Sequence, residues 1–186
     1  MSFVAWFSVS VARRTLRRTF WSLSLSGRDR VSIACNRQGL NLCPLGDPYH
    51  SIFLSDFATA MTDRYWQLGR IDDLEVAITC HRQALALCPH GDTNRSASLN
   101  NLANIVFTRY KQLGRMEDLE EAITCHRQGL ALRPHRHPDR PGSLSNLAVA
   151  VSTRFEQSGR MQDLEEAIKC HRQALALEPH GHFRRS

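Results

Sequence analysis

No stretch of this sequence stays apolar over the roughly 20 residues that a membrane-spanning helix needs, so no membrane span is expected. A glycine-rich phosphate loop, His-Glu-x-x-His, Gly-x-Ser-x-Gly and Cys-x-x-Cys are absent as well. Each of those patterns places a nucleophile, a metal or a phosphate cradle at a fixed spacing. Without them the chain is expected to be no enzyme and to use no cofactor and no metal. Acidic residues are missing from residues 1–26, and this sets the charge balance. Residues 1–30 carry Arg13, Arg14, Arg17, Arg18, Arg28 and Arg30 against Asp29 alone, or +5 of the formal +6. A nucleic-acid binder puts its basic stripe on the folded surface. Here the other residues are close to neutral, so no nucleic-acid partner is expected.

What is present is globular in composition, with 42% apolar and 23% charged residues among 186. The six cysteines are too sparse for a small disulfide scaffold, and their positions have a simpler origin. Cys35, Cys80, Cys125 and Cys170 stand 45 residues apart, as do Cys43 and Cys88. The same interval separates Gly69-Arg70, Gly114-Arg115 and Gly159-Arg160. It also separates His81, His126 and His171, and Pro89, Pro134 and Pro179. Residues 114–135 and 159–180 agree at 18 of 22 positions. A period of this length means stacked supersecondary units.

Each unit reads as two helices. Leu99, Leu102, Ala103, Val106, Tyr110 and Leu113 follow the spacing of one helical face, with Asn100, Asn101, Asn104 and Thr108 on the other side. Gly114 stands where a left-handed C-cap is wanted. A second helix then opens with Glu117, Asp118, Glu120 and Glu121, which suit the positive end of the helix macrodipole. Its apolar face is Leu119, Ala122, Ile123 and Leu130, and Pro134 ends it. The loop over residues 135–142 leads to Ser143, expected to cap the next helix. Full repeats span 50–94, 95–139 and 140–184, with a degenerate repeat over 24–49. Residues 1–23 form a basic arm or an eroded first helix, because Phe20-Trp21-Ser22-Leu23 lies 45 residues before Tyr65-Trp66-Gln67-Leu68.

In the second helices, Ala122-Ile123, Gly129-Leu130 and Pro134 resemble the Ala…Ala…Pro skeleton of the tetratricopeptide repeat. The pattern returns as Ala77/Ala84/Pro89 and Ala167/Ala174/Pro179. Leu102-Ala103 and Leu147-Ala148 match the family's first-helix pair, and small residues of this kind let paired helices approach to about 8 Å. The period exceeds the family's usual 34 residues, with the surplus between Ala103 and Ala122, which is similar to kinesin-light-chain-type repeats. The near-identical units also resemble fungal arrays that accompany a caspase-like (CHAT) protease domain, and no such domain is present in this sequence. The resemblance implies an all-α fold, a right-handed α-solenoid of stacked antiparallel helix pairs. Where the family usually has an aromatic residue, this chain has His81, His126 and His171.

Neighbours on a helix point about 100° apart, so the Cys-His pairs at 80–81, 125–126 and 170–171 are expected to be packed side chains, not chelators. The exposed His135, His137, His180 and His182 are expected to be solvated. Asn94-Arg95-Ser96 matches a glycosylation sequon but follows no secretory signal. Residues 1–26 have the composition of a mitochondrial transit peptide; the eroded first helix is the competing reading. The cytoplasm is the expected compartment, or the mitochondrion if that segment acts as an address.

The function that follows is partner binding. The family resemblance implies a concave docking surface made by the first helices. The residues expected there are Asp56, Thr59, Asp63, Asn100, Asn101, Asn104, Thr108, Ser145, Asn146 and Thr153, with Trp66 and Phe107 as apolar anchors. The alternative is a regulatory or oligomerisation module of a larger signalling or protease-bearing protein. The last repeat is followed by no polar capping helix, so self-association through it is a further expectation.

Overall fold

The computed structural model describes residues 25–44, 47, 49–89 and 94–177. The eroded helix, the transit-peptide reading, His180 and His182 fall outside the described residues. Within them every regular element is an α-helix: α1 (Leu25–Leu42), α2 (His50–Leu68), α3 (Ile71–Leu87), α4 (Arg95–Leu113), α5 (Met116–Ala131), α6 (Arg140–Ser158) and α7 (Met161–Leu177). The chain divides into two compact units, Met1–Leu87 with α1–α3 and Cys88–Ser186 with α4–α7.

Glycine makes the hairpins. Gly69, Gly114 and Gly159 have φ of 67°, 66° and 67°, the left-handed region that other residues enter at a cost. Their N–H groups return to the carbonyls of Tyr65, Tyr110 and Phe155 at 2.8, 2.7 and 2.7 Å. This closes each first helix and turns the chain back after two residues. The antiparallel pairs α2–α3, α4–α5 and α6–α7 result. Inside a pair the backbones come close. Ala77 and Ala122 are fully enclosed, and a methyl group on Gly129 would sit 3.2 Å from the Ser96 carbonyl oxygen. In the first unit Gly39 of α1 lies under the ring of Phe53 of α2, so the degenerate repeat keeps the small residue that the helix crossing needs.

In the second unit α6 also packs on α5. One apolar cluster joins Tyr110, Leu119 and Ile123 with Leu144, Leu147, Ala148, Ala150 and Val151, and with Ala167, Cys170 and Ala174 of α7. Burial of such side chains supplies about 25 cal/mol per Å² of apolar area, and in the second unit the α6–α7 pair gains it by stacking on α5. The first residue of each first helix adds a polar stitch. His50 Nδ1 donates to the Cys43 carbonyl at 2.8 Å, Arg95 to the Cys88 carbonyl at 2.8 Å, and Arg140 to the Arg133 carbonyl.

Two local expectations are corrected. Ser143 does not cap α6: the helix begins at Arg140 with Pro141 in its first turn, where proline's missing N–H costs nothing. Ser143 is buried instead and accepts a hydrogen bond from Arg133, whose guanidinium also reaches Ser96 Oγ at 3.4 Å and the Asp139 carbonyl at 3.2 Å. Leu113 is 43% exposed, at the last position of the helix before the Gly114 turn.

Candidate functional site

The first helices carry the residues expected to meet a partner. On α2, Asp56, Thr59, Asp63 and Trp66 are exposed. Trp66 has 62% of its surface open and leans edge-on against Tyr65, with ring centroids 5.1 Å apart. On α4, Asn101 and Asn104 are exposed and Asn100 is half-buried; on α6, Ser145, Asn146 and Thr153 are half-buried.

The structure brings three of these together. Asn146 Nδ2 donates to Asn100 Oδ1 and to Asn104 Oδ1, both at 3.3 Å, forming an amide row across two adjacent first helices. Each side-chain amide offers two donor hydrogens and an acceptor oxygen. The Nδ2 groups of Asn100 and Asn104, the Oδ1 of Asn146 and the whole amide of Asn101 remain for an outside group.

Other residues expected at the site sit differently. Thr108 is buried, 6% exposed, and its hydroxyl donates to the Asn104 carbonyl of its own helix at 2.9 Å. Thr59 and Thr153 bond back in the same way to Ser55 and Val149. Phe107 packs partly into the core cluster. It stacks on Tyr110 with centroids 6.0 Å apart, and the Lys111 ammonium lies 5.3 Å from its ring centroid. A cation held over a ring face is attracted by its quadrupole, so this outer ring face is already occupied.

The Cys-His positions are buried side chains in the first two full repeats. Burial pushes the thiols of Cys80 and Cys170 above their ordinary value, which keeps them protonated and unreactive. His81 and His126 are each 3% exposed, and burial lowers both imidazoles to about 4. The Nδ1 atoms of both have no hydrogen-bond partner among the described residues. His135 is exposed, and His137 Nδ1 accepts the Asp139 N–H at 3.1 Å.

An unforeseen device repeats at the same 45-residue interval. Arg64, Arg109 and Arg154 at the ends of the first helices fork onto Asp73, Asp118 and Asp163 at the starts of the second. The Nη2–Oδ1 distance is 2.6 Å in all three pairs. Both the arginines and the aspartates recur in register, so the signal is present in the sequence. It is masked there because the helix dipole alone accounts for the acid, and an arginine near a helix end reads as solvated. Two further pairs join successive repeats: Arg154 to Glu120 at 2.6 Å, and Arg127 to Glu166 at 3.0 Å between Nε and Oε1.

Residues 95–139 and 142–181 each match the tetratricopeptide repeat model, and none of the curated proteins matches the chain. Among solved structures it is similar to a crystal structure of nearly identical TPR-like repeats from Podosopora anserina, provisionally assigned there as a kinesin light chain. That match has 18% identity and a TM-score of 0.62, over 95% of this chain and 77% of that one. The DHF58 filament matches at a TM-score of 0.45 and 16% identity, over 93% and 92% of the two chains. The repeat matches and the stacked helix pairs lead to one conclusion: residues 95–139 and 142–181 are tetratricopeptide repeats.

Proposed function

We propose that the chain is a non-enzymatic scaffold that binds an extended segment of a partner protein along the first helices of its second unit, α4 and α6. Tetratricopeptide repeats generally mediate protein–protein contacts, and the amide row of Asn100, Asn104 and Asn146 is the observation that carries this reading. A partner's backbone offers alternating N–H and C=O groups at about 3.3 Å per residue, and an array of amides can answer both. In the second unit α4 and α6 approach closely enough for their asparagines to meet, whereas α5 and α7 are bridged by the Arg127–Glu166 ion pair. This spacing supports the first-helix side of the unit as the one that holds a ligand, the usual docking side of repeat proteins. In the first unit, taken by itself, the exposed indole of Trp66 on α2 is a candidate apolar anchor of the kind that dominates binding energy.

A displayed library of random peptides, selected on the full chain, tests the reading with no partner chosen in advance. Enriched peptides are expected to lose about tenfold or more in affinity against an Asn104→Ala/Asn146→Ala variant, on the scale of one or two lost hydrogen bonds. They are expected to bind a Thr124→Ala variant of α5 normally. Enrichment that survives the double substitution unchanged contradicts the reading, and so does no enrichment at all.

A further inference from the structure

Helices α5 and α7 are near copies of each other but lie in different surroundings. The face of α5 that carries Ile123, His126 and Leu130 is covered by α6, leaving Ile123 without exposed surface. The matching residues of α7 are Ile168, 43% exposed, His171, also exposed, and Leu175, 67% exposed. No described helix follows α7, and that accounts for the difference.

The charges show what such a face accepts. Glu120 of α5 receives Arg154 from the next first helix, and Arg127 of α5 reaches Glu166 on the next second helix. The residues 45 positions on are Glu165 and Arg172, both exposed, and neither side chain has an ion pair or hydrogen bond among the described residues. The apolar stripe and the two flanking charges thus repeat on α7 the pattern that seats a repeat on α5.

We infer that the α7 face is a docking surface for a helical hairpin of the α6–α7 kind. The α6–α7 hairpin gives the recognition pattern. Its first helix needs a Leu-x-x-Leu-Ala-x-x-Val stripe, as in Leu144, Leu147, Ala148 and Val151. An arginine three positions beyond the stripe answers Glu165, and a glutamate twelve further on answers Arg172. The contact is heterologous, using different surfaces on the two partners. Apolar burial supplies its affinity, while the exposed charge pairs set the register. This face belongs to a second helix and is separate from the amide row on the first helices.

The test appends a copy of residues 140–184 after Ser186 of the full chain, so that the hairpin is present at a high effective concentration. Hydrogen exchange is then followed in both molecules. Residues 164–175 should exchange about tenfold or more slowly in the extended chain, approaching residues 119–130 of the same molecule. Arg172→Glu should remove part of that protection. Exchanging Glu for Arg at the appended position that copies Glu166 should restore it. Unchanged exchange over 164–175 after the extension overturns the docking surface. Protection indifferent to both charge changes overturns the register assigned to it.

Discussion

Burial without a partner gives His81 and His126 a measurable role. An ordinary imidazole titrates near 6.5, and these two are lowered to about 4. Between those values the unfolded chain takes up a proton that the folded chain refuses, so stability is complete above pH 6.5 and falls as the pH drops towards 4. Each histidine accounts for about 3 kcal/mol over that window. Asp163 adds to the loss at still lower pH. The Arg154 guanidinium holds its carboxyl below the usual carboxylate value, and that contribution disappears as the acid is protonated. The urea midpoint should therefore drop steeply from pH 7 to pH 4.5, and His126→Phe should flatten the part that belongs to the second unit. A His126→Phe profile as steep as the parent's would show that other groups carry the acid sensitivity. That these histidines are packed was legible in their recurrence beside a buried cysteine. That His171 is exposed was not, because three identical residues in register carry no mark of which has a covering neighbour.

Each hairpin is locked at its turn by the fork of an arginine onto an aspartate nine residues on. The sequence showed the glycine turn, the apolar faces and the small residues at the crossing, because backbone sterics and periodicity leave direct marks. It did not show this lock, since pairing across a turn depends on how two helices rotate about each other. The second hairpin is the best place to measure it. The Arg109 and Asp118 side chains are 9% and 5% exposed, whereas Arg64 is 30% exposed. Removing one partner of a buried pair strands a charge and costs about 3–5 kcal/mol, while replacing both by apolar residues of similar volume is often close to neutral. Arg109→Met should thus destabilise the second unit by several kcal/mol, and Arg109→Met/Asp118→Leu by much less. Arg64→Met should cost less than Arg109→Met because water screens the more exposed pair. Additive single effects in this cycle would mean that the two groups do not act together. The start of α6 was misplaced for a related reason: Ser143 has a capping residue's chemistry, but buried Arg133 claims its hydroxyl as an acceptor.

Over the whole molecule the 45-residue register works at three levels. It places one glycine, one ion-pair fork and one polar stitch in each repeat. It aligns first helices so that asparagines of neighbouring repeats meet, and it leaves α7 with a face made for a further neighbour. Partner binding is the use proposed for this architecture, and the amide row is its central element. The most direct measurement is side-chain amide NMR of the full chain, titrated with a peptide selected on it. The resonances of Asn100, Asn104 and Asn146 are predicted to shift together and saturate at the peptide's own affinity, while Gln173 on α7 stays in place. Saturable binding that leaves all three asparagine amides unmoved would contradict the account.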